Sequence, residues 1–386
     1  MERTIVPVKI PRGAAAYRIS IGNGLISDSG RWSAETLEGE PGRVLIVSNR
    51  RVFGLYGDAA ETGFKKSGFE THVHLIGDGE RFKNLRTLEN TLQVLSEKGF
   101  TRTDSVVALG GGVVGDLAGF AASIHLRGIR LLQIPTTLLS MIDSSVGGKT
   151  AVNTSFGKNL VGTFYQPSGV LIDVNVLRTL PAREITAGLC EAIKQGAIAG
   201  PPLFRQTDNF LDSFSPNDFD DPPRFRLLAA HLVALIDKQV RFKATIVQND
   251  EAESALNDTA RSRKILNFGH TFAHALEKAS NYRVLKHGEA VGYGIMFAAE
   301  LSKKLELLGQ DEVNSLNDVV RRAGNLPPIG SIDQSKILTS FKYDKKRVGK
   351  SLQWVLLRGI GKPIIVPESE IPRSAVLSTL RSIFQK

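Results

Sequence analysis

Short apolar runs recur along the first half of the chain, separated by segments with helical spacing. The runs are Val44 to Val47, His72 to Ile76, Val106 to Leu109, Leu131 to Ile134 and Val170 to Ile172. Each is short enough for a buried strand and is flanked by polar or glycine-containing sequence. Between them, Leu85 to Lys98 places Leu88, Leu92 and Leu95 on one helical face and is followed by Gly99, a good C-cap residue. Strands alternating with helices predict a parallel sheet covered by helices. After about Leu180 the pattern changes, and Glu184 to Ile198, Phe225 to Val247, Ile265 to Ser280, Glu289 to Leu308 and Asp311 to Ala323 read as helices. A hairpin is expected from Leu352 to Leu357 and Pro363 to Val366, around Gly359-Ile360-Gly361. Asp208 to Pro223, rich in Asp, Asn, Ser and Pro, reads as a surface loop. No repeat or low-complexity tract interrupts this order.

The chain has 386 residues, enough for two domains, which the change of pattern divides into 1–180 and 181–386. Cys190 is the only cysteine, so an intramolecular disulfide is excluded. No apolar leader follows Met1 and no run of about 18 apolar residues occurs, so a cytoplasmic setting without a membrane partner is expected. Lysine and arginine outnumber aspartate and glutamate by 49 to 39, a net charge of +10. The basic residues are scattered, without a basic run or zinc-finger spacing, so the excess suits an anionic small molecule better than nucleic acid.

Chemistry concentrates in three places. The run Val106 to Leu109 leads into Gly110-Gly111-Gly112-Val113-Val114-Gly115-Asp116 and a helix-like segment. A strand, a G-x-G-x-x-G and a helix start allow backbone amides to hold a pyrophosphate. The acid that usually follows about 20 residues later to take the ribose is missing, since Leu126 to Met141 has no Asp or Glu. Asp78-Gly79-Glu80, three residues before Lys83, is the nearest replacement. The fold class expected is therefore an α/β N-terminal dinucleotide-binding, Rossmann-like domain plus a mainly α-helical C-terminal domain.

The second place is Pro135-Thr136-Thr137 and the dense run Asp143-Ser144-Ser145-Val146-Gly147-Gly148-Lys149-Thr150, followed by Lys158-Asn159. Glycines admit close backbone approach and lysines neutralise phosphate or carboxylate. A Walker A loop would need an earlier glycine, where this chain has polar residues. The third holds three of the seven histidines, His270, His274 and His287, with Glu191 and Lys194 charged within an apolar stretch. Histidine and carboxylate are the ligands of a catalytic zinc. Spacing alone favours His270 with His274, four apart on one helical face.

Taken in order, Gly110-Gly111-Gly112-x-x-Gly115-Asp116, Pro135-Thr136-Thr137-Leu138-Leu139, Asp143 to Thr150, Leu266-Asn267-Phe268-Gly269-His270-Thr271 and His287-Gly288-Glu289-Ala290 resemble the 3-dehydroquinate synthase branch of the sugar phosphate cyclase family, over about residues 40 to 350. The resemblance implies NAD and zinc (or cobalt) as cofactors. It implies a phosphorylated seven-carbon keto acid as substrate, and a homodimer. The metal ligands it implies are Glu191, His270 and His287, in place of the His270 and His274 pair, with His274 left for hydrogen bonding or proton transfer. Cofactor positions fall on Glu80, Lys83, Gly111, Gly112, Gly115, Asp116, Thr136, Thr137, Lys149, Lys158, Thr179 and Glu184. Substrate positions fall on Arg127, Asp143, Lys149, Lys158, Asn159, Lys194, Lys243, Arg263, Asn267 and Lys345.

The family's reaction is an internal oxidation by NAD, phosphate elimination, re-reduction and aldol closure, so it is a carbon–oxygen lyase with no net use of cofactor. This chain departs from the family pattern at Ser48-Asn49, where many members have Thr-Asp. Asp250 to Arg261 is longer than usual and lacks the usual acid shortly before Arg263. Two other outcomes stay open: a cyclase acting on sedoheptulose 7-phosphate, and a metal-dependent polyol dehydrogenase.

Overall fold

The computed structural model describes residues 3–8, 16–37, 39–254, 257–347 and 352–385, without the side chains of 342–347. The chain divides into two compact units, 1–179 with 229–251, and 180–228 with 252–386. The first unit thus takes in a segment from the part of the chain that the sequence pattern marks only as helical.

In the first unit, β1 (Arg3–Val8), β2 (Tyr17–Gly22), β3 (Arg43–Asn49), β4 (Glu70–Ile76), β5 (Ser105–Gly110), β6 (Arg130–Pro135) and β9 (Gly169–Asp173) form one sheet. Its order is β1-β2-β9-β6-β5-β3-β4. Only the β1–β2 pair is antiparallel. Every residue of β5 and β9 is buried, as strands covered on both faces must be. The helices are α1 (Ser29–Leu37), α2 (Arg50–Lys66), α3 (Leu85–Glu97) and α4 (Gly112–Ile124). Leu88 and Leu95 of α3 and Leu117, Ala118 and Ala121 of α4 pack with Leu45, Val106 and Leu131 in one core. From β3 the chain goes outward to β4 and then returns across to β5. The loops after β3 and β5 therefore flank the switch point where open α/β sheets bind ligands. A separate antiparallel hairpin joins β7 (Lys149–Thr154) to β8 (Gly157–Phe164).

The second unit contains α5 (Ala182–Ala199), α6 (Pro201–Ser213), α8 (His270–Ala279), α9 (His287–Lys304), α10 (Gln310–Arg322), α11 (Gln334–Arg347) and α12 (Arg373–Phe384). The expected hairpin is present as β10 (Gln353–Leu357) and β11 (Pro363–Pro367). Helix α7 (Pro222–Asn249) gives its first residues to this unit and the rest to the first.

Two local expectations are corrected. Asp208 to Pro223 is not all loop, because α6 continues to Ser213. Buried Phe204, Thr207, Phe210 and Leu211 give it an apolar face that outweighs the polar composition. The helix expected over Ile265 to Ser280 is broken at Phe268-Gly269, where Gly269 adopts a left-handed φ of 78° between a 3₁₀ turn and α8.

Candidate active site

Within the second unit, three helices bring one carboxylate and two imidazoles together. Glu191 lies in the middle of α5 and is fully buried. His270 and His287 are the first residues of α8 and α9. The glycines beside them set how closely these helices approach. A Cβ on Gly288 would stand 2.0 Å from the carbonyl oxygen of Ala187, one turn before Glu191. A Cβ on Gly294 would stand equally close, 2.0 Å, to the carbonyl oxygen of Gly269, beside His270. Only glycine allows such backbone contact. As a result one ligand atom from each of Glu191, His270 and His287 lies within 4.8 Å of the others.

Both rings are oriented by a second partner. Nδ1 of His270 is 3.2 Å from the Phe268 carbonyl oxygen, which can only accept, so that nitrogen carries the proton. Nε2 then faces Glu191 Oε1 at 3.8 Å. Nδ1 of His287 is 3.3 Å from Glu277 Oε2, and its Nε2 is 3.5 Å from the same Glu191 oxygen. Lys194, equally buried one turn along α5, holds its Nζ 2.7 Å from Glu191 Oε2. That contact is off the hydrogen-bonding direction, and neither Glu191 oxygen accepts a hydrogen bond among the described residues. A buried carboxylate left open towards two Nε2 atoms fits a divalent zinc-like ion.

Burial, reinforced by the Lys194 charge, pushes the pKa of His270 well below the usual imidazole range and keeps it neutral, as a ligand must be. Burial acts the same way on His287. There the Glu277 hydrogen bond and the charges of Glu277 and Glu191 outweigh it, leaving the pKa raised. His274 is exposed, its ring centroid 5.4 Å from that of His270 and 5.9 Å from that of His287. The pair favoured by spacing is thus adjacent, but it is Glu191 and His287 that complete the group around His270.

Other expected residues of this unit surround the group in sequence. Arg263 is buried on the 3₁₀ turn Arg263–Asn267. Asn267 Nδ2 lies 3.4 Å from Glu253 Oε1. Glu184 pairs with Lys286 at 2.6 Å. Its neighbour Arg183 donates two hydrogen bonds to Glu289, at 2.7 and 2.6 Å, while Glu289 also caps the start of α9 at the Lys286 amide. Arg183 and Glu277 escape the sequence reading, and Glu289 enters it only within a motif, with no role assigned. An acid within a buried helical face, as at Glu277 and Glu289, is the signal that could have found two of them.

In the first unit, the glycine loop joins β5 to α4 as expected, and the helix starts without a side-chain cap at Gly111. A Cβ on Gly115 would lie 2.9 Å from Gln133 Oε1 of β6, and one on Gly111 3.1 Å from Thr137 Cγ2. The amide of Thr136 donates to the Gly110 carbonyl at 3.0 Å, so Thr136 and Thr137 border the loop. Lys83 Nζ pairs with Asp116 and donates to Asn159 Oδ1 at 2.6 Å. Asn153 donates to Glu80 Oε1 at 2.7 Å and tethers that turn to the β7–β8 hairpin, which also carries Lys149 and Lys158. Burial raises the pKa of Asp116, and the Lys83 charge opposes it. Lys243 of α7 pairs with Asp143 at 2.6 Å.

Two expected residues of this unit stand apart from this cluster, Arg127 and Thr179. Arg127 lies in the turn after α4, a 13-residue helix, and so about 20 Å from the glycine loop along its axis. Thr179 is bonded to Tyr56 on α2. The side chain of Lys345 lies outside the described residues. Asn49 Nδ2 donates to Asp78 Oδ1 at 3.2 Å, so the substituted Ser48-Asn49 position still faces the acid proposed for the ribose.

An open α/β sheet with a glycine loop at its switch point, followed by a helical unit with a buried carboxylate and two imidazoles, defines a two-unit class of dinucleotide fold with a metal-ligand group. Solved structures with this fold include 2-deoxy-scyllo-inosose synthase in complex with carbaglucose-6-phosphate, NAD⁺ and Co²⁺. It is 25% identical, with a TM-score of 0.82, over 98% of this chain and 99% of that one. Another is 2-epi-5-epi-valiolone synthase from Streptomyces hygroscopicus with NAD⁺ and Zn²⁺, 26% identical, with a TM-score of 0.80, over the same shares of 98% and 99%. The 3-dehydroquinate synthase of Rippkaea orientalis is 39% identical over 97% of this chain and 98% of that protein. Family models described as 3-dehydroquinate synthase N-terminal and C-terminal match residues 73–187 and 188–347. The chain belongs to the 3-dehydroquinate synthase family.

Proposed function

We propose that this chain converts 3-deoxy-D-arabino-heptulosonate 7-phosphate into 3-dehydroquinate and phosphate, using NAD and a zinc or cobalt ion. The observation that carries the reading is the match to 3-dehydroquinate synthases along nearly the whole chain. The buried Glu191 carboxylate, which accepts no hydrogen bond among the described residues, and the two facing Nε2 atoms of His270 and His287 suit the metal. The uncapped start of α4 and its glycines suit the dinucleotide phosphates. When bound, these groups supply hydride acceptance and return by NAD and Lewis acidity towards substrate hydroxyls by the metal.

The chain's own residues bind, orient and carry protons. Gly111, Gly112 and Gly115 expose backbone to the pyrophosphate, with Thr136, Thr137, Asp116 and Lys83 beside them and Glu80 or Asp78 for the ribose. Thr179 and Glu184 complete the proposed cofactor set. Lys149, Lys158, Lys243, Lys194 and Arg263 are proposed as the cations a phosphorylated acid requires, with Arg127 and Lys345 as further candidates. Asp143, Asn159 and Asn267 offer hydrogen bonds to ring hydroxyls. His274, exposed beside the metal group, is proposed to move a proton. A homodimer in the cytoplasm accompanies this reading. Exposed Phe156, Leu160 and Phe164 on the β7–β8 hairpin are compatible with a partner surface, and the single cysteine suits a reducing compartment.

The runner-up is cyclisation of a sugar phosphate without a carboxylate, which the 25–26% identical cyclitol-forming structures keep in view. Purified protein with NAD and zinc, offered the heptulosonate phosphate and sedoheptulose 7-phosphate separately, decides between them. Phosphate release and dehydroquinate from the keto acid alone are expected. Release from sedoheptulose 7-phosphate alone would move the chain to the other branch.

A further inference from the structure

His270, His274 and Glu277 fall at i, i+4 and i+7 along α8, which puts them on one face of the helix. Glu277 is the buried member, its side chain 5% exposed, while its neighbours Ala275 and Leu276 pack into the core. A carboxylate is costly to bury unless its oxygens are matched by donors or cations, so its partners reveal what it does. Glu277 Oε2 is 3.3 Å from Nδ1 of His287, the first residue of the next helix. Ligand atoms of His274, Glu277 and His287 lie within 4.8 Å of one another, so this carboxylate stands against both the metal group and the exposed imidazole.

We infer that Glu277 is a positioning residue for the metal group: by holding Nδ1 of His287 it fixes the ring with Nε2 turned to Glu191, and so sets metal affinity and ligand geometry. An imidazole can flip about its ring axis, and only one orientation satisfies both edges here. His270 needs no such carboxylate, because the Phe268 carbonyl performs that task within its own turn. His287 opens its helix, and among the described residues the partner of its Nδ1 is a side chain from α8. Metal-bound histidines generally rely on such outer partners, whose loss lowers metal affinity about 10–100-fold.

The inference rests on the proposed metal group of Glu191, His270 and His287, and the test separates the two. Zinc affinity is measured by chelator competition for the wild type, Glu277→Gln, Glu277→Ala and His270→Ala, together with the visible spectrum of the cobalt-loaded proteins. Circular dichroism of the metal-free variants checks folding. Glu277→Gln, which keeps the size and one acceptor, is expected to bind zinc about 10-fold more weakly with a shifted cobalt spectrum, and Glu277→Ala more weakly still, towards about 100-fold. If Glu277→Ala fails to fold, Glu277→Gln alone decides. Zinc affinity within about twofold of wild type and an unchanged cobalt spectrum would overturn the inference while leaving the metal group intact. Undiminished zinc binding by His270→Ala would overturn the metal group, and the inference with it.

Discussion

Gly288 lies so close to Ala187 that a Cβ on it would stand 2.0 Å from the Ala187 carbonyl oxygen, which seats the first turn of α9 directly on the backbone of α5. Ala187 is one turn before Glu191 and Gly288 directly follows His287, so this one contact sets the distance between two of the three proposed ligands. Gly288→Ala should push the helices apart. Overpacking of this kind costs about 1–3 kcal/mol, and more where backbone is the obstacle. Thermal unfolding should show the loss of stability, and zinc affinity should fall as well; unchanged zinc binding would mean the ligand spacing is set elsewhere.

Alanine at His270 and at His274 should have different consequences. His270→Ala removes a ligand, so bound zinc should drop from about one per chain to near none, with loss of turnover. His274→Ala should keep the metal and lose activity by about 10²–10⁴-fold, the range of a general acid or base. Metal analysis beside the kinetics distinguishes them. The reverse result would restore the pair that helical spacing alone favours.

Lys83 holds Asp116 and Asn159 together at the glycine loop. Lys83→Met would leave Asp116 without its cation, and breaking a buried pair costs about 3–5 kcal/mol, less here because Asp116 keeps 18% of its side-chain surface exposed. NAD binding should weaken too. Adding Asp116→Leu to Lys83→Met should recover much of the stability without recovering NAD affinity. Recovery of both would reduce the pair to a structural one.

The segment between α6 and α7 carries a pH dependence of definite sign. The hydrogen bond from Arg224, at 3.0 Å, and the bond from the Ser215 amide hold the Asp218 carboxyl below its usual pKa. A depressed folded pKa contributes stability above the unfolded value, near 3.9, and that contribution is lost as pH falls through the folded value. Denaturant titrations at about pH 6 and about pH 3 should therefore separate wild type from Asp218→Asn more at the higher pH than at the lower. An equal gap at both would remove Arg224 and Ser215 as the cause.

What the sequence made legible follows from which forces are local. Fully apolar runs such as Val106 to Leu109 became central strands because a parallel sheet buries both faces, and the glycines after them mark the strand-to-helix turn. The edge strand Arg3–Val8 carries polar positions and a proline, and its neighbour Tyr17–Gly22 also mixes polar with apolar positions, so their pattern is weaker. The hairpin from Lys149 to Phe164 was hidden because its glycines and lysines read as a binding loop, and one of its strands leaves apolar side chains exposed. In the site, His270 and His274 are neighbours by helical spacing. The convergence of Glu191 and His287 on His270 depends instead on the contacts of Gly288 with Ala187 and Gly294 with Gly269, which join distant parts of the chain.

The account stands most directly on the balance between phosphate and reduced cofactor. Purified protein supplied with zinc, NAD and the heptulosonate phosphate should release one phosphate per dehydroquinate formed, followed by mass, while absorbance at the NADH band returns to its starting level. Net NADH accumulating with turnover, without phosphate, would contradict the account and make the chain a dehydrogenase on the same fold.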